Sequence, residues 1–126
     1  MPSITDLNKS KTTIIEYIDA QLPIRKEEKD TFGEVFTPSS LITEILDHLP
    51  SHVWKNPDYK WLDPAAGRGQ FPVMIYHRLY EGLAESIPNE KKRKTHILDN
   101  MLYMVELNAS NVKKMREIFG KAANIS

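Results

Sequence analysis

Four positions in this chain have the residue types and the spacing to do chemistry together: Asp63, Gly67, Gly69 and Glu106. The first three fall in Trp61-Leu62-Asp63-Pro64-Ala65-Ala66-Gly67-Arg68-Gly69-Gln70-Phe71, which reads as the end of a buried strand, a tight glycine turn and the start of a helix. Glycines so placed let the backbone approach a ligand closely and take dihedrals that side chains forbid. An acid where the strand runs out stands at the carboxyl edge, where open α/β sheets bind their ligands. Pro64 stiffens the exit and cannot continue a ladder. The stretch lacks the third glycine of a nicotinamide fingerprint and the Gly-Lys-Ser/Thr of a Walker loop, so neither of those phosphate cradles is expected. Glu106 closes a second apolar run, residues 101–105. A carboxylate in that place can accept both hydroxyls of a ribose, as in dinucleotide folds. It lies further along than the roughly 20 residues usual in such a unit, because the polar stretch 88–94 lengthens the crossover.

The elements that must position these groups can be read from periodicity. Residues 3–22 carry Ile4 and Leu7, then Ile14, Ile15, Ile18 and Leu22, at a helical repeat. Ser3 or Asp6 caps the start, and the polar run 8–13 divides the element in two. Pro23 stops it, and the mixed-sign run 25–30 is a solvated helix end or linker. Thr37 is a good N-cap and Pro38 fits a first helical position. The helix that follows, 39 to about 48, bears the stripe Leu41, Ile42, Ile45, Leu46 and Leu49 and is expected to pack on a sheet. Trp54 reads as a packed cover in the loop 50–59. Residues 60–63 form the first strand, and 70 to about 83 a helix with a broad apolar face on which His77 is a surface residue. The basic run 89–94 reads as a solvated loop, with contact to a DNA backbone as the alternative. Residues 95–100 form a short helix or a turn. Residues 101–105 form a second strand, covered on both faces. A last helix spans 109–119, closed by Gly120, and Asn124 begins a third strand.

Composition excludes several classes. The chain has 126 residues and 40% hydrophobic content, enough for one domain with a core. Lys and Arg together number 17, as do Asp and Glu, so the net charge is zero, against the basic balance usual for nucleic-acid binding. No cysteine is present, which removes disulfides and thiolate metal sites. His48, His52, His77 and His96 show no ligand-like spacing. No apolar run approaches a membrane span and no signal-peptide core is present, so no membrane partner is expected and the location expected is cytoplasmic.

As a whole string, Asp63-Pro64-Ala65-Ala66-Gly67-Arg68-Gly69-Gln70-Phe71 resembles the first motif of the methyltransferases that modify adenine N6 in DNA, of the restriction-modification type. In that family the motif holds S-adenosylmethionine. Gly33-Glu34-Val35-Phe36-Thr37-Pro38 resembles the motif that precedes it, and Glu106-Leu107 with Asn111 resembles the second motif. The motifs stand in the family's order across residues 32–126. The resemblance implies a Rossmann-like α/β methyltransferase fold, truncated after the second or third strand, with residues 1–31 as an N-terminal helical segment. It implies cofactor contacts at Phe36, Thr37, Pro38, Asp63, Ala65, Gly67, Gly69, Phe71, Glu106 and Leu107. Thr37 would meet the cofactor's carboxylate or amine, Phe36 and Pro38 would line the pocket, Glu106 would take the ribose, and Leu107 would flank the adenine ring.

The family's catalytic tetrad, Asn/Asp-Pro-Pro-Tyr/Phe, occurs nowhere in the sequence. No residue is therefore expected to be catalytic, no metal is expected, and the acceptor base has no platform here. DNA is expected as a partner only through a full enzyme or a second chain, with a partner subunit or homodimer completing the site. The competing reading is a non-catalytic interaction module on a methyltransferase scaffold. A third is a methyltransferase of RNA or of a protein glutamine, which the first motif also permits.

Overall fold

The computed structural model describes residues 3–20 and 37–126. It is an α/β fold with a small parallel sheet and flanking helices. The expected features Leu22, Pro23, the run 25–30 and Phe36 lie outside the described residues.

Helix α1 (Ile4–Leu7) opens with a capping box: the Ser3 hydroxyl receives the Asp6 N–H, and the Asp6 carboxylate receives the Ser3 N–H. Ser10 then caps α2 (Lys11–Asp19) by accepting from the Thr13 N–H, so the division expected within 8–13 falls at residues 8–10. Ile4, Leu7, Ile14 and Ile18 are all buried, which ties both short helices to the core.

Helix α3 (Ser39–Asp47) departs from the sequence expectation at both its start and its face. Its N-cap is Pro38, one residue later than Thr37, and neither residue caps it through a side chain. The Asp19 carboxylate does so from α2, with Oδ1 accepting from the Ser39 N–H and Oδ2 from the Ser39 hydroxyl, both at 2.9 Å. A partner 20 residues upstream satisfies the orphan donor that local sequence assigned to Thr37. Only Ile42 and Leu46 of the expected stripe are buried, against α2 and the helix after β1, while Leu41, Ile45 and Leu49 stay exposed.

A 3-10 turn (Ser51–Trp54) stacks Trp54 on Trp61, ring centroids 4.5 Å apart and planes nearly parallel, so Trp54 is the packed cover the sequence indicated. Strand β1 (Trp61–Asp63) leads through the glycine turn into α4 (Gln70–Gly82). The face of α4 carrying Val73, Met74, Tyr76 and Leu79 is buried. Its last glycine has a packing reason: the Trp54 carbonyl lies where a side chain at Gly82 would stand. His77 is buried, not on the surface, held between Asn8 and Glu81. Burial keeps its imidazole below the ordinary value, against the opposing pull of Glu81.

Residues 89–94 are not a loop. Asn89 caps α5 (Glu90–His96), and a π-helical turn (Ile97–Met101) follows directly into β2 (Leu102–Met104). Asn108 caps α6 (Ala109–Phe119), which ends at Gly120 with φ +99°, and β3 (Asn124–Ile125) completes the sheet. The strands are parallel in the order β1-β2-β3, with Asp63 level with Met104 and Met104 level with Ile125. All the strand ends that matter therefore point one way, toward the glycine turn. Leu62, on the outer strand β1, is 63% exposed.

Candidate ligand site at the carboxyl edge of the sheet

The turn after β1 is held from two sides. Asp63 Oδ1 accepts from the Ala65 N–H at 3.1 Å, which folds the chain back on the strand end. The Ala66 N–H then donates to the Val105 carbonyl, and the Val105 N–H to the Asp63 carbonyl, both at 2.9 Å, so the turn is laced to the end of β2. Gly67 and Gly69 have φ of +59° and +95°, in the region open to glycine. At Gly69 a β-carbon would also meet the Met115 side chain of α6 at 3.4 Å, a snug contact, so the backbone dihedral is the main reason for glycine there.

Glu106 is the centre of the arrangement. Its Oε1 accepts from the Gly67 N–H at 2.9 Å, across 39 residues of sequence. Its Oε2 accepts from the Asn108 N–H at 3.0 Å and from Asn111 Nδ2 at 3.3 Å. Asn111, at 2% exposure, is a buried polar side chain whose place at the start of α6 fixes the carboxylate's orientation. A carboxylate offers about four acceptor positions. The three bonds named leave Glu106 able to receive a hydroxyl on the Oε1 side.

The two carboxylates lie close enough to feel each other. Burial is the main cause that raises the Asp63 pKa above its ordinary value; the Ala65 N–H opposes this, and the Glu106 charge adds to it. Arg68, between the glycines, lies in electrostatic reach of Tyr17 on α2, whose phenol burial pushes up to about 12 against the pull of that guanidinium. The arrangement presents acceptors and a tightly turned backbone to a ligand rich in hydroxyl or ammonium donors. Among the described residues no group of three or more His, Asp or Glu side chains could hold a metal.

Of the residues expected at the site, Asp63, Ala65, Gly67 and Glu106 are brought together by the bonds just described, and the Gly69 N–H closes the turn on the Ala66 carbonyl at 2.9 Å. Phe71 follows in the first turn of α4, half-buried against the core. Thr37 and Pro38 are half-buried at the start of α3. Leu107 is 98% exposed and packs on none of the others. Asn111 carried no role in the sequence reading, although the Glu-Leu-x-x-x-Asn spacing contained it. An amide at the third position of the helix, five residues after Glu106, was the available signal. A cavity of about 680 Å³ lies elsewhere, between α1, α4 and α5.

No protein-family model matches the chain. Over 77 residues it is 44% identical to a Mycoplasma pneumoniae (strain ATCC 29342 / M129 / Subtype 1) protein described as an uncharacterized adenine-specific methylase. The match takes in 59% of this chain and 18% of that protein, so the chain spans less than a fifth of that relative's length. No helix among the described residues is long and apolar enough to cross a membrane.

Proposed function

We propose that this chain is the S-adenosylmethionine-binding portion of a site-specific DNA adenine-N6 methyltransferase, with the acceptor-binding part supplied by further polypeptide. The observation that carries the reading is the Gly67–Glu106 bond, which sets a glycine turn between two carboxylates at the carboxyl edge of a parallel sheet. The adenine specificity in the relative's description, and the order of the three motifs, support the finer assignment. In this reading residues 32–126 are the cofactor-binding part and 1–31 a helical segment that supports it.

The residues present fit such a ligand. Glu106 retains acceptor capacity toward a ribose hydroxyl, and the glycine turn keeps side chains off the ligand's path. Leu107 would flank the adenine ring, and Asp63, Ala65 and Phe71 would shape the turn. Asp19 already holds the Ser39 N–H and hydroxyl, so Thr37 would meet the ligand's amino-acid end through its own hydroxyl, beside Phe36 and Pro38. When bound, S-adenosylmethionine supplies an electrophilic methyl on sulfur. This chain's own contribution is to bind and orient that donor by hydrogen bonds set in place before the ligand arrives. DNA would be engaged through the full enzyme or a second chain.

Amide shifts recorded during titration with S-adenosylmethionine test the assignment. The account expects saturable shifts concentrated at Gly67, Gly69, Glu106 and Leu107. A folded chain whose spectrum does not respond would contradict cofactor binding and favour an interaction module on the same scaffold.

A further inference from the structure

The 680 Å³ cleft between α1, α4 and α5 is of the size that takes small ligands. Tyr76 and Tyr80 of α4 line it, with Thr5 of α1 and Lys9 of the turn that follows on one side and Lys91 and Lys94 of α5 on the other. It lies at the far end of α4 from the glycine turn. Ten residues separate Gln70 from Tyr80, which is about 15 Å of helix.

Its charge stands out against a chain whose net charge is zero. Three lysines line it, with Glu90 as the one acid among the lining residues and Asp6 at its rim, 4.0 Å from Lys9 Nζ in an exposed pair that solvent screens. A fourth cation lies beneath: Arg93 is 7% exposed, stacks over Tyr80 at 4.5 Å, and donates to the carbonyls of Ile87, Tyr80 and Pro88. Those acceptors are neutral dipoles, so the guanidinium charge adds to the field of the cleft. Turning Arg93 inward also fixes the helix so that Lys91 and Lys94, three apart, lie side by side along the cleft. Lys94 Nζ is held in place by the neutral Thr5 hydroxyl at 2.8 Å, with the exposed Asp6 carboxylate also in its electrostatic reach. Cations gathered around a concave, partly enclosed surface are suited to a polyanion of small size.

We propose that this cleft is a second ligand site, built for the phosphate groups of a nucleotide and separate from the glycine turn. The nucleotide is either free or part of a nucleic-acid strand, and the same lysines would serve both. The site does not depend on the cofactor reading, since none of its residues touches Asp63, Gly67 or Glu106.

The test uses the whole chain and three probes: ADP, a fluorescein-labelled single-stranded oligodeoxynucleotide, and inorganic phosphate. Each is titrated at low salt into the wild type, a Lys91→Gln/Lys94→Gln double variant, a Lys9→Glu variant and an Asp63→Asn control. The expected result is saturable binding of ADP or the oligonucleotide that falls at least tenfold in both lysine variants and is unchanged in the control. Preference for ADP identifies a free nucleotide. Preference for the oligonucleotide, with a salt slope that drops by roughly 0.7 per lysine removed, identifies a strand. Binding that survives the lysine changes, or is lost in the Asp63→Asn control, would overturn the proposal by moving the ligand elsewhere. So would the absence of binding by ADP and the oligonucleotide to a folded wild type, or a response to inorganic phosphate as strong as to either.

Discussion

Replacing Glu106 tests whether the candidate site is held together as described. In Glu106→Gln the side chain keeps its length but exchanges one acceptor for a donor. With the amide oxygen kept toward the Asn108 N–H and Asn111 Nδ2, the amide nitrogen meets the Gly67 N–H, donor against donor. One charge-assisted bond is lost, and such bonds contribute about 1.5–3 kcal/mol each. Gly67 and Glu106 are only half-buried, so water relieves part of the loss, and about 1.5–2 kcal/mol is expected. The other amide orientation costs more, because it opposes two donors. Glu106→Ala removes all three bonds and is expected to cost about 3 kcal/mol, less than a simple sum because the donors share one acceptor group. Urea unfolding followed by circular dichroism reads the total, with an unchanged slope. Hydrogen exchange reads the location: the Gly67 amide should exchange about 10- to 30-fold faster in Glu106→Gln, since 1.4 kcal/mol is a factor of ten. Stability within about 0.5 kcal/mol of wild type, together with an unchanged Gly67 amide, lies inside the ordinary range of surface substitutions and would refute the reasoning.

Other changes probe the surrounding parts. Asp63 has a raised pKa in the fold, so the native state binds its proton more readily than the unfolded chain, and stability is lost as pH rises from the ordinary value through the folded one. Asp63→Asn should therefore be more stable than wild type at neutral pH, and the gap should close below the ordinary carboxylate range; a gap that widens in acid would contradict this. Gly69→Ala forces a β-carbon into positive φ and against Met115, and should destabilise by about 1–2 kcal/mol in thermal unfolding. Asp19→Ala removes the carboxylate that caps α3 and should cost about 1 kcal/mol, with faster exchange at the Ser39 amide as the local sign. Arg93→Met keeps the packing but loses three bonds to carbonyls, and a cost of about 2–4 kcal/mol in urea titration is expected; a neutral result would mean that those carbonyls find other partners.

The strand–turn–helix at the glycine turn was legible because its determinants are local, although its strand lies at the sheet's edge with Leu62 exposed and is not the buried strand the sequence indicated. Two glycines, a proline and an apolar run specify it within eleven residues, and the positive φ values at Gly67 and Gly69 follow from the glycine positions themselves. Helix α6 and its glycine cap were legible for the same reason. What the sequence hid was non-local. Nothing near Thr37 signals that Asp19, from another helix, takes over the cap of α3. The basic run 89–94 reads as solvated by composition, yet the helix turns Arg93 inward to carbonyls that only the fold supplies. The apolar stripe of α3 suggested a sheet-facing helix, but the helix packs on helices and leaves Leu41, Ile45 and Leu49 outside. His77 could be recognised as buried only once Asn8 and Glu81 were known to bracket it. At the site itself, the two carboxylates were evident from their positions at strand ends. The bond from Gly67 to Glu106 was not, since it joins residues 39 apart.

The most direct test of the account is calorimetric titration of the purified chain with S-adenosylmethionine, beside Asp63→Asn and Glu106→Gln. Saturable binding by the wild type, weakened at least tenfold by Glu106→Gln and reduced by Asp63→Asn while both variants remain folded, is the predicted result. Absence of binding by a folded wild-type chain, or binding indifferent to both substitutions, would contradict the claim that the glycine turn between these two carboxylates is the cofactor site.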